Sequence, residues 1–123
     1  MATRSAIGFQ LPDGKIKSVY CHWDGYPSHH MPILKEKYNT VEKVKKLIKK
    51  GAMSCLSTKD TWDEKDVRDE QPLYYIERGD DFTPPIILDF DSSMKHWYEC
   101  WCEFMYIYVP RKGWDVFELT KED

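Results

Sequence analysis

From Trp97 to Val109 apolar and aromatic side chains stand at nearly every position, and this run constrains the fold more than any other part of the chain. Read as a strand, its odd positions carry Trp97, Glu99, Trp101, Glu103, Met105, Ile107 and Val109. Its even positions carry Tyr98, Cys100, Cys102, Phe104, Tyr106 and Tyr108. Neither face is polar, so such a strand belongs in the middle of a sheet or between two layers. Pro110-Arg111-Lys112-Gly113 then turns the chain into Trp114-Asp115-Val116-Phe117-Glu118-Leu119, whose alternation predicts a partner strand.

A second hairpin is predicted at the N-terminus. Ile7 and Phe9 sit two apart, Pro12-Asp13-Gly14 supplies a turn, and Ile16, Val19 and Tyr20 follow. Cys21 to His30 reads as a loop, because Gly25 and Pro27 break the extended pattern. Pro32 suits the first turn of a short helix through about Tyr38, with Ile33 and Leu34 inward. Asn39 and Glu42 have capping-box spacing for a second helix from Val41 to about Lys50. Its apolar face is Val41, Val44, Leu47 and Ile48, and Gly51 ends it. Lys43, Lys45, Lys46, Lys49 and Lys50 collect opposite, first of all as a solvated face and in the sharper reading as a surface for an acidic partner. Residues 57–71 are polar and read as an irregular excursion pinned by Trp62; Leu73–Ile76 is a short strand, Arg78–Asp81 a turn, and the last four residues fray. The predicted fold is α+β: one domain with a mainly antiparallel sheet, built from N- and C-terminal hairpins, and two short helices in the middle.

Hydrophobic residues at 41% and aromatics at 15% exclude a disordered linker. Eighteen basic against twenty-one acidic residues leave a charge of −3, so nucleic acid is not an expected partner. No apolar run has the length of a membrane span, and Met1–Ala6 lacks the layout of a signal peptide. The four cysteines are therefore read as reduced thiols in a cytosol, each first of all a small buried hydrophobe.

Cys21-His22-Trp23-Asp24-Gly25-Tyr26-Pro27 is the one dense cluster of functional side-chain types. In the structural reading, Trp23 and Tyr26 fold onto the core while Asp24 and Ser28 accept loop hydrogen bonds. In the binding reading, Trp23 and Tyr26 form an apolar wall, and His22, Asp24 and His29 orient a ligand. The candidate contact set for a ligand or partner is Arg4, His22, Trp23, Asp24, Tyr26 and His29. In the catalytic or metal reading, Cys21, His22, His29 and His30 combine with Cys100 and Cys102. Zinc needs three or four such ligands, yet the spacing is poor, since Cys21 and His22 would point to opposite faces of a strand. No catalytic residue, metal or cofactor is assigned. His96 reads as a surface residue at a strand start.

Thr3-Arg4-Ser5, the Asp13-Gly14 hairpin and Val19-Tyr20-Cys21-His22-Trp23-Asp24-Gly25-Tyr26-Pro27-Ser28 resemble the start of a group of small proteins from tailed phages and bacteria. The likeness continues through Leu34, Tyr38, Lys43-Val44, Leu47-Ile48, Gly51 and Ser54-Cys55-Leu56, about the first 56 residues. Phe104–Tyr108 followed by Gly113-Trp114 is similar to that group as well. The resemblance implies a phage or mobile-element product in the cytoplasm of a bacterial host, and carries over no catalytic residue.

The expected function is that of a phage accessory protein. It would bind a host protein or a small ligand without turnover, countering host defence or redirecting a host enzyme. One alternative is a small hydrolase or metalloprotein centred on Cys21, His22 and Asp24. Another is a single-stranded nucleic-acid binder using Trp101, Tyr106 and Tyr108, against which Glu99 and Glu103 count. An exposed sheet edge makes a two-fold homodimer the default assembly.

Overall fold

The computed structural model describes residues 3–23, 25–56, 73–76, 79 and 82–119. Seven strands, β1 (Ser5–Gln10), β2 (Ile16–Trp23), β3 (Met53–Cys55), β4 (Leu73–Tyr74), β5 (Ile86–Leu88), β6 (Phe104–Val109) and β7 (Gly113–Glu118), form one mixed sheet among these residues. Their order is β4-β3-β2-β1-β6-β7, with β5 paired to β2 beside β3. The N-terminal hairpin is present as β1 (Ser5–Gln10) and β2 (Ile16–Trp23). Its turn is closed by Gly14 N–H donating to Leu11 O at 2.9 Å and by Lys15 N–H donating to Asp13 Oδ1 at 3.0 Å. The C-terminal hairpin is β6 (Phe104–Val109) with β7 (Gly113–Glu118). The two hairpins join through β1 and β6, which run parallel, from Ser5 opposite Phe104 to Phe9 opposite Tyr108. The short β3 (Met53–Cys55) is also parallel, against the end of β2, so the mainly antiparallel sheet contains two parallel pairs. β4 (Leu73–Tyr74) and β5 (Ile86–Leu88) complete it.

Helices cover both faces. On one side lie α1 (Pro27–Lys37) and α2 (Val41–Lys49). Their Leu34, Val44, Leu47 and Ile48 pack on Ile7, Phe9, Val19, Cys21, Tyr106, Tyr108 and Trp114. On the other side α3 (Phe90–Glu99) sets Trp97 against Ala6, Ile16, Met105 and Ile107. The pleat thus assigns successive residues of β6 to two different cores, which is why neither of its faces reads as polar. Each fully buried side chain such as Ile7 or Met105 contributes on the order of 2 kcal/mol.

Several elements differ from the sequence reading. Residues 97–99 end a third helix instead of opening a strand. Asp89 caps it, its Oδ1 accepting from Ser92 N–H at 2.7 Å, and Phe90, Met94 and Trp97 then recur at helical spacing on the sheet. The high strand preference of Trp97 and Tyr98 had hidden that period. β2 runs on to Trp23, and α1 starts at Pro27, not Pro32. Pro27 fits the N-terminal end, where its missing N–H costs nothing, whereas Pro32 lies inside the helix. The cap of α2 is Thr40, whose Oγ1 accepts from Lys43 N–H at 3.2 Å; Asn39 instead receives the Lys43 ammonium at 3.3 Å. Gly51 follows with a φ of 83°, as its place after the helix requires. The excursion around Trp62, most of the Arg78–Asp81 turn and the C-terminal four residues lie outside the described residues.

Candidate binding site at the end of the sheet

β2 ends where β1 and β6 begin. Cys21 stands opposite Ser5, and Ser5 opposite Phe104, so Arg4, Trp23, Tyr26 and Glu103 gather at one end of the sheet. The loop after β2 is clamped there. Gly25 N–H donates to Thr3 O at 2.8 Å, and the Tyr106 hydroxyl donates to Gly25 O at 2.5 Å. A Cβ at position 25 would lie 2.6 Å from both Thr3 O and Ser5 Cβ, so only glycine lets the loop press this closely on β1. Trp23 and Tyr26 remain 46% and 39% exposed. Neither is folded into the core.

The two histidines of α1 have different roles. His30 is buried, with Nε2 3.3 Å from Ser5 Oγ, Nδ1 2.9 Å from His29 Nδ1, and its ring 5.1 Å from that of Tyr106. Burial, with a smaller push from His29, lowers its pKa to about 3, so the ring is neutral at neutral pH. His29 is half-buried, edge-on to Tyr26. Cys21 is sealed beneath the same corner, and burial pushes its thiol far up, with the neighbouring Cys55 acting in the same direction. A buried, protonated thiol is no nucleophile.

His22 points to the opposite face of the sheet. Its Nδ1 is hydrogen-bonded to the Tyr20 hydroxyl at 2.7 Å, and its ring meets Trp23 edge-on at 4.7 Å. Tyr20 in turn stacks on Trp97 at 6.4 Å. Burial pushes Tyr20 up to about 12, opposed by Arg4, so it remains a phenol. Burial and Arg4 both lower His22, which favours its neutral form.

Of the six candidate residues, Arg4 and His22 therefore lie towards the α3 face, while Tyr26 and His29 lie on the α1 side. Trp23 stands between them at the sheet end. Asp24 lies outside the described residues. The split overturns the metal arrangement: Cys21, His29 and His30 are separated by the sheet from His22, Cys100 and Cys102. Among the described residues no group of three or more His, Cys, Asp or Glu could hold a metal ion. Tyr106 and Tyr108 are buried against α1 and α2, so they are not free to stack on bases with Trp101.

Two features go beyond the sequence reading, which names Trp101 only as a base-stacking residue on a strand and does not pair His96 with Cys100. Trp101 is 77% exposed and sits at a φ of 69°. It occupies the glycine place of a helix-ending motif, with Trp101 N–H donating to Tyr98 O and Cys102 N–H to Trp97 O, both at 3.0 Å. It precedes β6 by three residues and so belongs to the same sheet end as Trp23. The second feature is a pocket of about 460 Å³ lined by Tyr20, Tyr75, Pro84, Ile86, Trp97 and the pair His96–Cys100. Cys100 Sγ lies 3.7 Å from His96 Nε2, one helical turn away. Burial and the Glu99 carboxylate raise the Cys100 thiol, so it stays protonated beside the imidazole. The spacing of four between His96 and Cys100 was the available signal, and reading this stretch as a strand concealed it. All four cysteines carry free thiols.

No protein-family model matches the chain, and neither a curated protein nor a solved structure matches it.

Proposed function

We propose that the protein acts by binding, without turnover, and that its partner is a host protein docking on the sheet end that carries Trp23, Tyr26 and Trp101. One observation carries this reading: three large aromatic side chains are held in solvent at one end of a sheet whose other aromatics are largely packed inside. Trp and Tyr are the residues most often found to anchor interfaces. Trp101 is held out by a left-handed backbone conformation that costs a non-glycine residue on the order of 1–2 kcal/mol, and such strain collects at functional positions. The sequence resemblance to small phage and bacterial proteins supports a bacterial cytoplasmic partner, and an accessory role against host defence or on a host enzyme. Among the described residues no helix is long and apolar enough to cross a membrane. The test is affinity capture from bacterial lysate, mass-spectrometric identification, and titration of the identified partner. Trp23→Ala and Trp101→Ala should each weaken binding by about 2 kcal/mol, some thirtyfold. Unchanged affinity in both variants contradicts the reading.

A second reading rests on the pocket beside Trp97. Its walls are mostly apolar, with His96 and the Cys100 thiol as polar handle, which suits a largely apolar small ligand. Native mass spectrometry of gently purified protein tests it. A small-molecule mass retained by the wild type and lost with Trp97→Leu supports it, and a bare polypeptide mass counts against it.

A further inference from the structure

At the opposite end of the sheet, the turn between β6 and β7 faces the end of α1 across an open pocket of about 490 Å³. Lys35, Arg111 and Lys112 line it with Asn39, Tyr108 and Trp114, and none of its lining residues is acidic. Glu36, the one carboxylate of α1, is not among them. Three like charges around one hollow repel each other unless an anion joins them. Two carbonyls just beyond α1 are already engaged: Trp114 Nε1–H donates to Tyr38 O at 2.7 Å, and the Tyr108 hydroxyl donates to Asn39 O at 3.2 Å. The two aromatic rings that close these bonds, 5.4 Å apart, are buried and lie beneath the pocket.

The backbone supplies an independent observation. Lys112 N–H donates to Val109 O at 2.9 Å, with Pro110 first and Arg111 second at the corner, and Arg111 has a φ of 75°. This is a type II turn, in which the second corner position ordinarily takes glycine or asparagine. An arginine held there against its backbone preference brings a guanidinium to the pocket that glycine would not.

We propose that this pocket binds a compact phosphorylated ligand of the pyrophosphate class. Lys35, Arg111 and Lys112 hold the phosphate oxygens above the buried rings of Trp114 and Tyr108. The overall charge of −3 is no obstacle, since the cations are local and the ligand is small. The site is separate from the sheet end that carries Trp23 and stands or falls independently of it.

Isothermal titration of the full chain at low ionic strength with pyrophosphate, ADP and adenosine tests the assignment. Pyrophosphate and ADP should both bind, adenosine should bind far more weakly than either, and added salt should weaken pyrophosphate binding. Arg111→Gly removes the cation while relieving the turn, so the variant should fold and lose about tenfold or more in pyrophosphate affinity. Three results would overturn the proposal: no pyrophosphate binding, adenosine binding as well as pyrophosphate, or Arg111→Gly binding pyrophosphate as the wild type does.

Discussion

The Nδ1 atoms of His29 and His30 stand 2.9 Å apart, within hydrogen-bond distance of each other. His30 is the buried partner, and its pKa of about 3 lies well below the ordinary 6.5. The unfolded chain therefore binds a proton at this site more readily than the folded one. The stabilisation is fully present above pH 6.5 and is lost progressively as the pH falls towards 3. Between pH 6.5 and 4.5 the loss amounts to roughly 2–3 kcal/mol. Urea denaturation at both pH values measures it. His22 and Asp89 are also lowered and add slopes of the same sign. The contribution of His30 is accordingly the part of the pH dependence that His30→Gln removes.

The clamp on the Gly25 loop predicts a stability loss from either side. Tyr106→Phe leaves Gly25 O without its buried donor and should cost about 1–3 kcal/mol. Gly25→Ala introduces a Cβ 2.6 Å from Thr3 O and should cost a similar amount, about 1–3 kcal/mol. Thermal unfolding of both variants checks this, and wild-type stability in either would show that the clamp is not closed in solution.

Thiol labelling should divide the four cysteines by burial. Cys21 and Cys102 are buried, and burial pushes Cys102 up to about 12. Both should resist a thiol reagent until the protein unfolds, whereas the half-buried Cys55 and Cys100 should react in the native state. Stopping the reaction with and without denaturant, followed by peptide mass spectrometry, gives the assignment. Rapid native labelling of Cys21 would contradict the packing of β2 under α1.

Trp101→Gly should separate stability from function. Glycine relieves the left-handed conformation, so the fold should gain up to about 1 kcal/mol while partner binding declines. Chemical denaturation and partner titration on the same variant measure both effects. A loss of stability together with binding would make Trp101 a structural residue.

Much of this architecture was legible because it is local. The Pro12-Asp13-Gly14 turn, the alternation of Trp114–Leu119 and the apolar stripe of α2 each specify their element within a few residues. What the sequence concealed depends on distant parts of the chain. The parallel pairing of β1 with β6 joins residues about a hundred positions apart, and no local signal announces it. The helix ending at Glu99 looked like strand because its aromatics suit either state, and only the Asp89 cap and the Phe90–Met94–Trp97 spacing decide the matter. The candidate site shows the same division. Trp23 and Tyr26 stand out as candidates in the sequence because they lie in its one dense cluster of functional side-chain types, beside Gly25 and Pro27. Trp101 reads there only as a base-stacking residue on a strand, and the His96–Cys100 pair is not seen, since the exposure of the one and the proximity of the others follow from the helix that was missed. The sheet, finally, separates residues that are adjacent in the chain, and so Cys21 and His22 face different cores.

The most direct measurement is hydrogen exchange of the protein with and without its captured partner, read at peptide resolution. The account predicts new protection at residues 22–26 and 98–103, and little change along Lys43–Lys50. Protection confined to α2, or a double variant Trp23→Ala/Trp101→Ala that retains the same partner as the wild type, would contradict it.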